Sequence, residues 1–338
     1  LVFTIQPSGV ISGQAFSTQP VVTAQDGVGM IDTDFSDLVT IRENSDGTLS
    51  NASIEAINGV ATFINTSYTA SIDGESVTLV ADDALSGVEG DLPSVMAVSL
   101  NSDVVATRLV FSVQPASSVS GAPLGVQPVV TALDDSGRVD TDFSEPVTIA
   151  LSLGAGTLTN PTRAAVNGVA AFAQLTYTAS IDREDFIITA NDDDGAGSNL
   201  PIVTANNVIS DILATQLVFS VVPSGSVSGQ PFVTQPIVVA RDSLGGLDTD
   251  FTDVLTLSED GDGSLSNANV QTVNGVGTFN DLIYTTAVDG ASFHITVDDE
   301  AGGNEGDLDP VRVGPLTSDI AATRLVFSIQ PSGSTSGK

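Results

Sequence analysis

One sequence pattern recurs along this chain with a fixed period. "LVFTIQPSG" begins at Leu1, "LVFSVQPAS" at Leu109, "LVFSVVPSG" at Leu217 and "LVFSIQPSG" at Leu325. A constant step means that each copy is one structural unit, because a repeated sequence folds into a repeated structure. We therefore predict three complete units at residues 1–108, 109–216 and 217–324, followed by residues 325–338 as the first strand of a fourth.

Each unit has the sequence pattern of short β-strands. Runs rich in Val, Ile, Thr and Phe alternate with clusters of Gly, Asp, Asn and Ser, which is typical of an all-β sandwich. In unit 1 we assign strands A to G to residues 1–6, 19–25, 37–42, 52–57, 59–64, 76–81 and 94–101. Asn58-Gly59, between D and E, is a strong hairpin signal because both turn positions need a positive φ. The predicted fold is a linear array of tandem immunoglobulin-like seven-strand β-sandwiches.

The charge balance restricts the partners of this chain. With 42 acidic and 9 basic residues, the net charge is −33. Such a field repels phosphate backbones and anionic lipid headgroups, so we expect no nucleic-acid partner. No apolar run approaches the ~18 residues of a membrane helix, so we expect no membrane insertion in this segment. Asp outnumbers Glu and clusters in Gly-rich loops, which leaves two interpretations: a halophilic surface or divalent-cation binding.

Several landmarks together resemble a known family. "ATRLVFSVQP", the "VVTAxD" strand, "DTDF", "VTI" and "NGVATF" resemble bacterial Ig-like (Big-type) repeats of large surface adhesins and secreted repeat proteins. The resemblance implies an extracellular or cell-surface location. The Cys pair and core Trp of antibody-type domains are missing, since the chain has no Cys and no Trp. Because the chain begins at Leu1 without a signal-peptide pattern, we expect a fragment or a mature form.

The sandwich topology predicts where the acids meet. The start of strand A and the BC, DE and FG loops share one end of each unit, while the CD and EF loops and the end of G share the other. Acids of the BC and FG loops should therefore face Asp73 and Asp182 in the EF turns of the preceding unit, and Asp103 and Asp211 beside its connectors. Facing carboxylates repel unless a cation lies between them, and Ca²⁺ takes six to eight oxygen ligands.

We therefore predict calcium as a cofactor at the junctions. The predicted ligands at the first junction are Asp103, Asp134, Asp140, Asp142, Asp192 and Asp193. The predicted ligands at the second junction are Asp211, Asp242, Asp248, Asp250, Asp298 and Asp299. The alternative is that these Asp side chains form Asx-turns and stay solvated. "EDGDGS" at residues 259–264 has no acidic counterpart in unit 2, so we interpret it as a solvated CD turn.

The sequence offers few side chains suitable for catalysis. The one histidine, His294, is predicted on strand F beside Phe293, and no cysteine nucleophile or phosphate-binding loop is present. An enzyme is therefore not expected. Tyr68, Tyr177 and Tyr284 precede the EF turn, where a tyrosine-corner role is favoured over ligand binding.

The sequence leaves three functions open. The favoured one is a non-enzymatic stalk or spacer of a surface adhesin, stiffened by calcium at its junctions. The second is a subunit of an extracellular filament or sheath that assembles by strand addition, for which residues 325–338 are the candidate donor. The third is a receptor- or glycan-binding module that uses the FG loops. The candidate partners are neighbouring repeats, other copies of the chain, and a host or matrix receptor.

Overall fold

The computed structural model describes residues 1–83, 87, 90–192, 199–299, 306–330 and 332–333. Every regular element in these ranges is a β-strand. A helix of the length and apolarity needed to cross a membrane is not found in this part of the chain.

The strands repeat from unit to unit. Unit 1 contains β1 (Val2–Ile5), β2 (Val10–Ile11), β3 (Val21–Thr23), β4 (Leu38–Glu43), β5 (Thr48–Ser50), β6 (Ser53–Glu55), β7 (Val60–Thr62), β8 (Ser67–Thr69), β9 (Ser76–Val77), β10 (Leu79–Asp83), β11 (Val95–Met96) and β12 (Leu100–Asp103). Unit 2 contains β13 (Arg108–Val113), β14 (Ser118–Val119), β15 (Val129–Leu133), β16 (Pro146–Leu153), β17 (Thr157–Thr159), β18 (Thr162–Ala164), β19 (Val169–Ala171), β20 (Thr176–Thr178), β21 (Glu184–Asn191), β22 (Val203–Thr204) and β23 (Val208–Asp211). Unit 3 contains β24 (Gln216–Val221), β25 (Ser226–Val227), β26 (Ile237–Arg241), β27 (Val254–Glu259), β28 (Ser264–Ser266), β29 (Asn269–Gln271), β30 (Val276–Thr278), β31 (Ile283–Thr285), β32 (Ala291–Asp298) and β33 (Val311–Asp319).

Each unit has a short two-stranded sheet, β5-β8, β17-β20 or β28-β31, and unit 1 has a further sheet of order β2-β12-β9. The other strands form two main sheets in each unit. One has the order β1-β3-β7, repeated as β13-β15-β19 and β24-β26-β30. The other has the order β11-β10-β4-β6 in unit 1, β14-β23-β21-β16-β18 in unit 2 and β25-β33-β32-β27-β29 in unit 3. A short strand near the start of each unit also pairs in parallel with the last strand, as β2 with β12, β14 with β23 and β25 with β33. The all-β, tandem immunoglobulin-like sandwich prediction is confirmed.

Alternation along the strands gives each unit a core of its own. In β21 and β32 every second side chain is buried, as expected for a strand with one face towards a core. The three clusters of buried apolar residues extend from Phe3 to Val104, from Ala106 to Val208 and from Ala214 to Leu308. Each core therefore ends within a few residues of the start of the next. The exact unit boundaries at 108 and 216 stay predictions.

The three tyrosines for which a tyrosine-corner role was predicted lie inside these cores. Tyr68, Tyr177 and Tyr284 are fully buried. The Tyr68 hydroxyl lies 2.7 Å from Ser45 Oγ, and the Tyr177 hydroxyl accepts a hydrogen bond from Gly156 N at 3.1 Å. The hydroxyls of Tyr68 and Tyr177 thus reach the turns that follow the long strands β4 and β16, respectively. Their position favours a structural role for these tyrosines.

The turn at Asn58-Gly59 differs from the prediction in what it joins. Both residues have positive φ, 51° and 78°, and Ile57 and Val60 form a bridge across the turn, as expected. However, β6 pairs with β4 and β7 pairs with β3, so the turn connects the two sheets instead of two paired strands. Three strands were also missed, β2, β5 and β8, because runs of two or three residues are too short to show an alternating pattern.

The predicted fourth-repeat strand is described only in part. Residues 325–330 contain no strand, and Phe327 is 76% exposed. Most of the rest of residues 325–338 lies outside the described residues.

Candidate functional site

The "DTDF" segment lies in the BC loop, between β3 and β4 or their counterparts, and its first Asp is buried in units 2 and 3. Asp140 is buried, and its Oδ1 accepts a hydrogen bond from Phe143 N at 2.9 Å. Its Oδ2 accepts another from Ala106 N at 2.8 Å. Ala106 belongs to the connector, residues 104–107, between units 1 and 2. The carboxylate therefore caps its own loop and also holds the connector.

The same arrangement recurs at the next junction. Asp248 has no exposed surface and accepts hydrogen bonds from Phe251 N at 2.9 Å and Ala214 N at 2.8 Å. Ala214 lies in the second connector, residues 212–215. At both junctions, therefore, the first Asp of "DTDF" is a structural acceptor. Backbone N–H groups buried at such a point would otherwise lack a partner, which is costly.

The Thr of "DTDF" contacts the preceding unit. Thr141 donates from its backbone N, at 3.0 Å, and from its hydroxyl to Asp73 Oδ2. Asp73 lies in the EF turn, between β8 and β9, and its Oδ1 accepts from Val104 N at 2.8 Å. One carboxylate thus binds the connector with one oxygen and the following unit with the other.

The second EF turn makes the same contacts. Thr249 donates from its backbone N, at 3.0 Å, and from its hydroxyl to Asp182 Oδ2. Asp182 Oδ1 accepts from Ile212 N at 2.9 Å. The junctions are therefore specific contacts with a repeated geometry.

Three carboxylates converge at each junction. Asp73, Asp140 and Asp142 each offer an oxygen within 4.8 Å of the others, and Asp182, Asp248 and Asp250 do the same at the second junction. Carboxylate oxygens are the ligands that Ca²⁺ prefers. Each group joins two units, because its first member comes from the EF turn and the other two from the following BC loop.

The crowding of negative charge shifts the pKa of nearby carboxyls. A hydrogen bond with Asp140, then burial and the charges of Asp140, Asp103 and Asp73, raise the pKa of Asp142 to about 6. Burial, followed by the charges of Asp250, Asp182 and Asp248, raises the pKa of Asp211 to about 6. Both shifts oppose ionisation at neutral pH, so a cation at either position would be favoured.

Only some of the predicted ligands are brought together. Asp140 and Asp142 meet at the first junction and Asp248 and Asp250 at the second, while Asp103 and Asp211 lie close enough for their charges to act on these groups. Asp73 and Asp182 were not in the predicted ligand set, although the topology had placed them at the facing end. Their position in the EF turn was the signal for including them.

The other predicted ligands lie in their own loops. Asp134 Oδ1 accepts from Ser136 N at 2.9 Å and Arg138 N at 2.8 Å, and Asp242 Oδ1 makes the equivalent bonds with Leu244 N and Gly246 N. These two are the Asx-type turns of the alternative interpretation. Calcium binding by any of the predicted ligands stays a prediction.

The acids of the FG loops are separate from the junction groups. Asp192 is buried and accepts from Leu200 N at 3.0 Å. Asp298 and Asp299 form a group with Asp307 in their own loop. Asp193 lies outside the described residues, as does much of the FG-loop surface predicted for a receptor or glycan.

Two further predictions concern unit 3. His294 lies on β32 as predicted, and its backbone N donates to Asp260 Oδ1 at 2.7 Å. Asp260 also forms an ion pair with Arg312. Within the turn at residues 259–264, Asp260 is therefore paired with a cationic side chain at the surface, while Glu259 accepts a hydrogen bond from Gly261 N.

Comparisons with known proteins concern the overall fold. No protein-family model matches the chain, and no curated protein matches its sequence. Among solved structures, invasin, a bacterial integrin-binding protein, is 16% identical with a TM-score of 0.37, and the match covers 94% of this chain and 60% of invasin. The Escherichia coli adhesin FdeC is 14% identical with a TM-score of 0.40 over 95% of this chain and 96% of that one. Protocadherin gammaB7 is 16% identical with a TM-score of 0.39 over 94% and 76%. At these values the matches carry no argument about function, and the fold assignment rests on the strand pairing described above.

Proposed function

We propose that this chain is a non-enzymatic, extracellular stalk or spacer whose units are held in line by their junctions and stiffened there by calcium. The observation that carries the proposal is the repeated contact between the EF turn of one unit and the "DTDF" segment of the next. Asp73 binds Thr141, and Asp182 binds Thr249, with the same donors and the same oxygen. A repeated junction fixes a repeated angle between units, which a spacer requires.

The junction charges support the calcium part of the proposal. Each junction gathers three carboxylates within 4.8 Å, and the chain as a whole carries a net charge of −33. Repulsion between these groups opposes the close approach that the hydrogen bonds need. A divalent cation between the two units would remove the repulsion and add ligands from both sides.

The test combines small-angle scattering with thermal unfolding. With CaCl₂ the maximum dimension is expected to be larger and the melting temperature higher than with EDTA, because cross-linked junctions keep the units extended. Asp142→Asn should weaken both responses, while Asp46→Asn, in the turn before β5, should keep them. Identical scattering and melting in CaCl₂ and EDTA would refute the calcium proposal.

The same measurements separate calcium from a halophilic surface. KCl at matched ionic strength screens all surface charges without binding a specific group. If KCl alone produces the full response, the acids act as halophilic surface charge and the junction-cation proposal is wrong.

A further inference from the structure

The two junctions differ by one cationic side chain. Arg183 follows the EF-turn Asp182, where unit 1 has Gly74 after Asp73 and unit 3 has Gly290 after Asp289. Arg183 Nη1 lies 2.8 Å from Asp250 Oδ2, so an ion pair joins unit 2 to unit 3. Within the described residues, no Arg makes an ion pair with an acid of the first junction group, and Arg138 in that BC loop pairs with Asp134 instead.

Arg183 also adopts a backbone conformation that disfavours arginine. Its φ is 54°, while Gly74 and Gly290 at the equivalent positions have φ values of 66° and 71°. Glycine adopts this left-handed region freely, whereas a residue with a Cβ loses free energy there. A residue that is unfavourable at a position where the other repeats have glycine indicates that its side chain makes a stabilising contact there.

The charges around each junction identify this contact as one between the guanidinium and the carboxylates. Asp73, Asp103, Asp140 and Asp142 face one another at the first junction. Asp182, Asp211, Asp248 and Asp250 do so at the second, where the guanidinium of Arg183 lies beside Asp250. The positive charge of arginine persists at every pH at which the protein is folded. Arg183 pairs with Asp250 Oδ2, which is one of the two carboxylate oxygens that Asp250 could offer to a cation.

We propose that Arg183 is a built-in counter-ion that keeps the second junction in its geometry without an added divalent cation, and that only the first junction depends on one. The part concerning Arg183 stands on the ion pair and the backbone conformation. The part concerning the first junction rests on the calcium function proposed above. The array would then have one junction whose stiffness follows the calcium concentration and one whose stiffness does not.

Spin labels can report on each junction separately, because the chain has no cysteine. Thr62, Ala171 and Thr278 are exposed and lie at equivalent ends of β7, β19 and β30. Cysteine pairs at positions 62 and 171, or 171 and 278, give a distance distribution for one junction each by double electron–electron resonance, in EDTA and in CaCl₂. In the parent sequence, the 171–278 pair should give the same narrow distribution in both, while the 62–171 pair should narrow only in CaCl₂.

Exchanging the residues at the two EF turns tests the proposal. Arg183→Gly should make the 171–278 distribution broad in EDTA and narrow in CaCl₂, and Arg183→Lys should largely keep the parent behaviour because it keeps the charge. Gly74→Arg should make the 62–171 distribution narrower in EDTA. Circular dichroism confirms that each variant is folded, and Arg183→Gly places a well-suited residue at this φ.

The two parts fail in different ways. An Arg183→Gly variant whose 171–278 distribution stays narrow in EDTA would overturn the role of Arg183. A 62–171 distribution that is the same in EDTA and CaCl₂ would instead overturn the calcium dependence of the first junction, and with it the calcium function, whatever the result for Arg183.

Discussion

Thr141 and Asp73 lie 68 residues apart in different units, and two donors of the threonine bind a single oxygen of the aspartate. This pair ties the BC loop of one unit to the EF turn of the unit before it. Asp73 binds the connector with its other oxygen. The order of the junction should therefore depend on this one carboxylate.

Replacing the threonine should loosen the connector. Thr141→Val removes the hydroxyl donor and keeps the β-branched shape, and the lost charge-assisted bond should cost about 1–2 kcal/mol of junction stability. Arg108 follows the connector directly, so tryptic cleavage after Arg108 should become faster. Thr141→Ser keeps the hydroxyl and should cleave at close to the parent rate. Equal rates for valine and parent would show that the hydroxyl bond does not hold the junction.

Removing the buried carboxylate should destabilise unit 2. Asp140→Ala leaves the N–H groups of Ala106 and Phe143 without their acceptor, and two buried unpaired donors cost about 2–5 kcal/mol. Asp140→Asn retains one acceptor oxygen and should lose less. Hydrogen-exchange mass spectrometry of residues 106–143 would detect the change, and alanine and asparagine variants with equal protection would contradict it.

Two glycines with similar backbone angles should respond differently to alanine. A Cβ at Gly59 would lie 2.1 Å from the carbonyl oxygen of Asp32, whereas a Cβ at Gly74 meets nothing within 4 Å. Gly74→Ala should cost about 1 kcal/mol from its positive φ alone. Gly59→Ala should cost about 1–3 kcal/mol more, because the backbone of the BC loop must move. Urea unfolding of unit 1 measures the difference, and equal losses would mean that the turn does not position "DTDF".

One buried serine pair tests hydrogen bonding between the second and last strands of a unit. In unit 2, Ser118 Oγ donates to Ser210 Oγ at 2.9 Å. In unit 1, Val10 stands at the position of Ser118 and pairs with Ser102. Ser102 Oγ therefore has no hydrogen-bond partner in the described structure. Ser210→Ala should destabilise unit 2 by about 1–2 kcal/mol, whereas Ser102→Ala should stabilise unit 1 by about 1 kcal/mol. Melting curves of the two variants should therefore shift in opposite directions.

The stability of the array should have a maximum in mildly acidic solution. A folded pKa of about 6 for Asp142 and Asp211, against the ordinary value of 3.8, means that the folded state binds protons more readily between these values. Stability should therefore increase as the pH falls from above about 6 to about 4. Asp73 behaves oppositely. Burial acts to raise its pKa, but the hydrogen bonds from Thr141 and Val104 outweigh burial and lower the pKa. The contribution of Asp73 to folding stability is therefore lost as the pH falls below about 4.

Calorimetry between about pH 3 and pH 8 in EDTA tests this dependence. Asp142→Asn combined with Asp211→Asn should flatten the increase on the neutral side and leave the loss on the acid side. If the double variant keeps the full increase, these two carboxyls are not its cause.

Sequence patterns predicted the sandwich and the meeting of EF and BC loops, since both follow from the period and from the strand order. They did not distinguish Asp134 from Asp140, which lie six residues apart in the same loop. The first turns back on its own loop, while the second binds a connector whose path depends on the neighbouring unit. Such choices depend on backbone direction at single residues, which composition and spacing do not contain.

The predicted ligand set included Asp103, which comes directly before the connector, but not Asp73, which supplies the oxygen that meets the next unit. Calcium binding by the predicted set stays a prediction. Arg183 was not singled out at all, because one arginine after an aspartate is unremarkable until its partner in the next unit is known.

The parallel pairing of the second and last strands sets how a unit responds to force. When a tethered array is pulled from its two ends, β14 and β23 are drawn in opposite directions along their length, and so are the equivalent pairs in the other units. The hydrogen bonds between them are then loaded in shear and must break together, whereas bonds pulled from one end would break one at a time. Each unit thus carries a mechanical clamp between its two ends, and a chain of such units can bear tension as a tether.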